Sequence, residues 1–149
     1  MASMALAQKD FLVNAPRERV WRLIGKVIFS VLPGLENMEI LDENNFRAVL
    51  RMKLFGLQIS LKLKGEMVDM APPESFGVKL FLEGLGGLFR AEQKVSFAIT
   101  PVEKDRTAVS CRAAMEDPGF LPRVFLLGQA RKFAGSTFEA IEKRLQDLA

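Results

Sequence analysis

Apolar and polar residues alternate most regularly between positions 46 and 67, where the chain reads FRAVLRMKLFGLQISLKLKGEM. Phe46, Ala48, Leu50, Met52 and Leu54 recur at every second position. After Gly56 the alternation restarts with Leu57, Ile59, Leu61 and Leu63, while Arg47, Arg51, Lys53, Lys62 and Lys64 take the intervening places. Successive side chains of a strand point to opposite faces, so this segment predicts a hairpin with one apolar and one wet face. A sheet that is apolar on one side needs a cover.

The flanking segments predict both the cover and further strands. Ala5 to Val13 reads as a first strand, with Phe11 and Val13 on one face, stopped by Asn14-Ala15-Pro16. Proline suits the first helical position and Glu18 suits the positive end of a helix dipole. Val20, Trp21, Leu23, Ile24, Val27 and Ile28 then recur at three- and four-residue steps. Gly25 weakens the middle of this segment, which predicts two short helices, ended by Pro33-Gly34. Leu35 to Leu41 reads as the second strand and the hairpin as the third and fourth. Ala71-Pro72-Pro73-Glu74 is a loop, because prolines donate nothing to a ladder. Phe76 to Leu82, Phe89 to Ile99 and Thr107 to Met115 alternate as the fifth, sixth and seventh strands, closely spaced as in an antiparallel meander.

Asp117-Pro118-Gly119 ends the sheet, and from about Pro122 to Leu148 the period becomes helical. Leu127, Ala130, Ala134, Phe138, Ile141, Leu145 and Leu148 form one stripe on a helix roughly 39 Å long. Ala130, Ala134 and Gly135 are small, which lets this helix approach the sheet or leaves space beside it. The whole predicts one two-layer α+β domain over 1–149, with Gly56, Gly65, Gly77 and Gly84 to Gly87 letting the sheet curl around the helix.

Composition narrows the function. A length of 149 residues suits one core. The net charge of +3, without a Lys/Arg run interleaved with aromatics, argues against nucleic acid. Apolar runs are broken by Lys or Arg, so no transmembrane helix is expected, and Met1 to Val13 lacks the apolar run of a signal peptide. A single cysteine excludes an intramolecular disulfide, and a cytoplasmic location is the expectation. There is no histidine and no tyrosine. Imidazole metal sites and His-based triads are therefore excluded, and neither a metal, a cofactor nor a catalytic residue is expected. An enzyme would have to run on Asp, Glu, Lys or Cys111. Yet Glu66, Asp69, Glu83 and Glu92 fall on or near the wet side, and Cys111 reads as a quiet buried thiol.

Two features stay open in the sequence. Gln93 stands alone among inward apolar residues of the sixth strand, either orienting the polar end of a ligand or satisfied by backbone. Lys62, Lys64, Arg90 and Lys94 form either a basic patch for an acidic partner or membrane, or a solvated sheet face.

Several short motifs point to a family. They are Phe11-Leu12-Val13 with Ala15-Pro16, Val20-Trp21, Leu32-Pro33-Gly34-Leu35-Glu36, the glycine hairpin Val49 to Leu57, Gly65, Gly128 and Phe138. Together they resemble the CoxG-like family of carbon monoxide dehydrogenase subunits, within the START-like, SRPBCC, helix-grip superfamily. The chain departs from it at Gly25-Lys26, where members tend to carry Asp, and in the short Asp117-Pro118-Gly119 approach to the last helix. Members often continue into a tail that reaches a membrane or partner; this chain stops at Ala149, so a tail-borne anchor is not expected.

The resemblance implies a helix-grip fold with a hydrophobic cavity between the last helix and the curled sheet, gated by the two short helices. It implies non-enzymatic binding of a lipid- or quinone-like small molecule and a link to a molybdenum-containing CO dehydrogenase or related hydroxylase. The alternative it leaves is an assembly or membrane-recruitment factor that acts through its surface without a functional ligand, peripheral to the inner face of the membrane. The residues expected at the cavity are Trp21 and Pro33 at the entrance, with Leu32, Leu50, Met52, Leu61, Leu63, Met67, Leu80, Gln93, Phe97, Met115, Leu127, Ala134 and Phe138. An empty void of about 300 Å³, the low end for ligand pockets, would cost about 7 kcal/mol. That rivals the ~5–15 kcal/mol stability of a domain. Such a cavity is therefore filled or collapsed, and the seven methionines suit adaptable walls.

Overall fold

The structure, a computed structural model, describes residues 4–32, 34–54, 56–87, 89–116 and 123–149, and for residues 54, 85, 89 and 123–127 the backbone alone. Strand β1 (Met4–Val13) leads into helix α1 (Arg17–Val31). Strands β2 (Leu35–Ile40), β3 (Asn45–Leu54), β4 (Leu57–Ala71), β5 (Ser75–Gly84), β6 (Phe89–Glu103) and β7 (Arg106–Met115) follow, and helix α2 (Arg123–Leu148) closes the chain. The strands form one curved sheet of order β1-β7-β6-β5-β4-β3-β2, antiparallel between all neighbours. The two-layer α+β helix-grip architecture expected from the pattern is the one observed.

The β3–β4 hairpin pairs as its alternation requires: Ala48 faces Leu63, Leu50 faces Leu61 and Met52 faces Ile59. Leu57, expected on the apolar face, is 68% exposed.

Helix α1 corrects the expectation of two short helices, because it is continuous through Gly25. A mid-helix glycine costs about 1 kcal/mol relative to alanine. Burial of Val20, Ile24 and Val27 on one face, each contributing roughly 1.5–3 kcal/mol, outweighs that. Pro16 sits one position before the helix, and its carbonyl accepts hydrogen bonds from the Arg19 and Val20 amides at 3.1 Å. A Cβ at Gly25 would meet nothing within 4 Å. Gly25→Ala is therefore expected to stabilise the protein by about 0.5–1 kcal/mol in urea denaturation. A loss of stability would show that this position needs its open space.

Two other glycines hold the helices on the sheet. Gly34 has φ +77°, and a Cβ there would collide with the Arg51 carbonyl oxygen. Instead the Arg51 amide donates to Gly34 O at 2.8 Å, fastening the end of α1 to β3. At Gly65 a Cβ would enter the ring of Phe46. With hydrogen there, Phe46 lies over the sheet and meets Phe29 of α1 edge to face, centroids 5.0 Å apart.

Helix α2 is tied at several points. Lys9 Nζ lies 3.2 Å from Glu142, Arg131 and Gln146 donate to the carbonyls of Ala5 and Leu12, and Arg19 of α1 donates to Leu148 O at 2.8 Å. Between these ties the core has two ends. Beneath the first half of α1 and the last half of α2, Val13, Val20, Ile24, Val109, Cys111 and Leu145 pack with 1% exposure or less. There the Thr107 hydroxyl donates to Ala15 O. The other end is packed less completely. Among the described residues no helix is long and apolar enough to cross a membrane.

Candidate functional site

At the looser end the register sets inner-face residues in rows across the sheet. Phe46, Gly65, Leu80, Gln93 and Met115 are successive partners from β3 to β7, and Ala48, Leu63, Leu82 and Ala91 form the row beside them. Among the described residues in the first half of α2, Ala130 and Ala134 are the buried ones. One methyl group each does not fill the gap between helix and sheet, and two adjoining apolar cavities of about 50 Å³ and 70 Å³ remain. Left empty, each costs about 1–2 kcal/mol, which a folded domain sustains.

The smaller cavity is lined by Leu50, Met52, Leu61, Leu63 and Met115, among others, and the larger by Met67, Phe97, Ala134 and Phe138. Leu32, Leu80 and Gln93 line both. These are all residues expected at a cavity. Trp21, expected at the entrance, lines neither cavity. In a single helix it sits roughly 16 Å from Leu32 along the axis, and it packs edge-on against Phe76, centroids 5.5 Å apart. Pro33 and the side chain of Leu127 lie outside the described residues.

Other lining residues went unread in the sequence. Phe133, common to both cavities, lies one residue off the stripe drawn along α2, although it is three positions from Ala130 and so on a neighbouring part of the same face. Phe46 belongs to a strand that was read correctly and Phe29 to the helix that was read as two, and their meeting depends on the absence of a side chain at Gly65.

The chemistry of the site is sparse. Gln93 is 9% exposed. The Thr137 hydroxyl, at the larger cavity, donates to Phe133 O at 2.8 Å. Among the described residues no carboxylate, ammonium, guanidinium or thiol lines either cavity, and no cluster suits a metal ion. The carboxylates named above sit on the outer face: Lys94 lies 2.7 Å from Asp69 and, by hydrogen bond and charge, holds that carboxyl below its usual range. Lys62 and Arg90 both face Glu83 in the ladder, so the outer lysines and arginine are interleaved with opposite charge. An open furrow of about 1230 Å³ runs along this same wet face between Arg47, Lys64, Phe81 and Glu92. Its mixed charge and openness make it a weaker candidate than the enclosed apolar pair.

Cys111 is fully buried, and burial, aided by Asp10 and Glu142, pushes its thiol up to about 12. The reactive thiolate is therefore nearly absent at neutral pH. Native protein is expected to take up no iodoacetamide at pH 8 during the time in which urea-unfolded protein is fully alkylated; rapid native labelling would contradict the packing around β7.

The family model for CoxG, a carbon monoxide dehydrogenase subunit, matches residues 10–146. A conserved protein from Geobacillus kaustophilus superposes with a TM-score of 0.73 at 17% identity, covering 94% of each chain. A START superfamily protein from Mycobacterium smegmatis gives 0.60 at 18% identity over 97% of this chain and 99% of that one. The Zhui aromatase/cyclase from Streptomyces sp. R1128 gives 0.63 at 12% identity over 97% and 94%. At such identities these likenesses show a common fold. No curated protein matches the chain.

Proposed function

Since the chain belongs to the CoxG family of carbon monoxide dehydrogenase subunits, we propose that it is a non-enzymatic carrier of a lipid- or quinone-like small molecule, serving a molybdenum-containing CO dehydrogenase or a related hydroxylase. The observation that carries this reading is the pair of apolar cavities under the alanine half of α2. Neither cavity alone reaches the roughly 300 Å³ of an ordinary ligand pocket. A guest would enter by parting the first half of α2 and the last turn of α1 from the sheet. Closure around the guest would then recover the contacts that the empty cavities forgo. The absence of acid–base groups among the described lining residues favours carriage over catalysis, although the aromatase/cyclase has the same fold. The place of action is the cytoplasm, with contact at the membrane surface where such a molecule is taken up.

The small volume of the cavities favours one second reading, an assembly or membrane-recruitment factor that acts through its surface and carries nothing. Protein purified without detergent separates the two. Under the carrier reading, organic extraction and mass spectrometry recover one lipophilic compound in near-stoichiometric amount. Retention of a molybdenum hydroxylase in a pull-down, with nothing extracted, supports the surface reading and defeats the first.

A further inference from the structure

We propose that Phe133 is the movable partition of a two-chambered pocket, and that Gln93 selects an uncharged lipophile with one hydrogen-bonding group near the middle of its length. The proposal rests on the carrier reading above and narrows its ligand. Four described residues line both cavities: Leu32, Leu80, Gln93 and Phe133. The pocket is thus one apolar space divided at a single level, and the divider has one side chain with hydrogen-bonding groups.

Phe133 is half-buried against the core and borders a void on each side. A ring beside two voids has fewer contacts to hold its rotamer, so a swing to another staggered position costs less than it would in a filled core. The other rings behave differently. Phe76 stacks on Phe97 at 4.9 Å, and Phe97 meets Phe138 edge-on at 6.3 Å, so these form a locked wall. Moving Phe133 joins the chambers and leaves that wall in place.

Gln93 stands at the junction, so a polar atom it binds has an apolar arm in each chamber. Its amide offers both a donor and an acceptor, which fits a carbonyl or a hydroxyl. The Thr137 proton is already committed to Phe133 O, and Gln129, half-buried, lines the smaller chamber alone and not the junction. No described lining residue supplies a cation, so a carboxylate or phosphate would be buried without a partner and is rejected.

The test uses the full chain, with the neutral fluorophore N-phenyl-1-naphthylamine as reporter and three nine-carbon competitors: nonan-5-one, nonan-2-one and nonanoate. The wild type is expected to bind nonan-5-one roughly three- to tenfold more tightly than nonan-2-one, the worth of one hydrogen bond, with nonanoate weaker than both. Gln93→Leu levels the two ketones, and Gln93→Met, run in parallel, guards against a folding defect in either variant. Phe133→Ala tightens reporter binding by roughly fourfold or more, the worth of one buried methylene. Equal ketone affinities in the wild type, displacement by nonanoate, an unchanged ratio in the Gln93 variants or no gain in Phe133→Ala each overturns the proposal while the carrier reading stands. A wild type that binds neither the reporter nor any ketone sinks both.

Discussion

Ala134→Arg is expected to yield no folded protein. Ala134 is 6% exposed in the middle of α2, between buried Ala130 and Phe138, and it lines the larger cavity. A guanidinium there meets no carboxylate among the described lining residues. Burying an unpaired charge costs several kcal/mol, and the added bulk roughly 1–3 kcal/mol more. The sum, about 5 kcal/mol or more, reaches the whole stability of a small domain. Soluble yield and the cooperativity of thermal unfolding report the outcome. A variant that melts near the wild-type temperature would mean that α2 turns a different face to the sheet.

Leu145→Ala tests the opposite end of the core. Leu145 is wholly buried, and it lines neither cavity. Its truncation is expected to cost about 3–5 kcal/mol and to lower the urea midpoint by roughly 1–3 M. Ala130→Val makes the contrast, because it adds methyl groups next to the smaller cavity. It is expected to change stability by less than about 1 kcal/mol. Equal costs at the two positions would remove the distinction between a solid end and a loose end.

Much of this architecture could be read in the chain because the signals were local and periodic. The alternation around Gly56 gave the two strands and their apolar face, and the observed pairs Ala48–Leu63 and Leu50–Leu61 keep that face together, since a strand that is apolar on one face admits few registers. The stripe from Ala130 to Leu145 predicted which side of α2 is buried for the same reason. Reading by local propensity failed at Gly25, where tertiary burial of Val20, Ile24 and Val27 overrides the cost of one glycine. Trp21, read as an entrance residue or a helix anchor, packs on Phe76 and lines neither cavity.

The cavity was legible as a set of inward residues but not as a volume. How much space is left depends on rotamers and on the helix-to-sheet distance, and periodicity carries neither. Ala130 and Ala134 were visible as small residues that either close the gap or leave one. Only their height above Leu63 and Leu80 decides between the two, and the result is two modest voids rather than a single large one. Phe133 escaped notice because a stripe drawn through the most regular positions leaves out the flank of the face. That flank is where a side chain can reach both chambers.

Carriage is tested most sharply by where a guest goes. Methyl-resolved NMR of the labelled chain, titrated with a decyl-substituted benzoquinone, reads this directly. Saturable shifts are predicted at Leu32, Leu80, Ala130 and Ala134, with Val13, Val109 and Leu145 unmoved. Shifts confined to the exposed Leu12, Ile40 and Leu57, or none at all, would contradict the carrier reading.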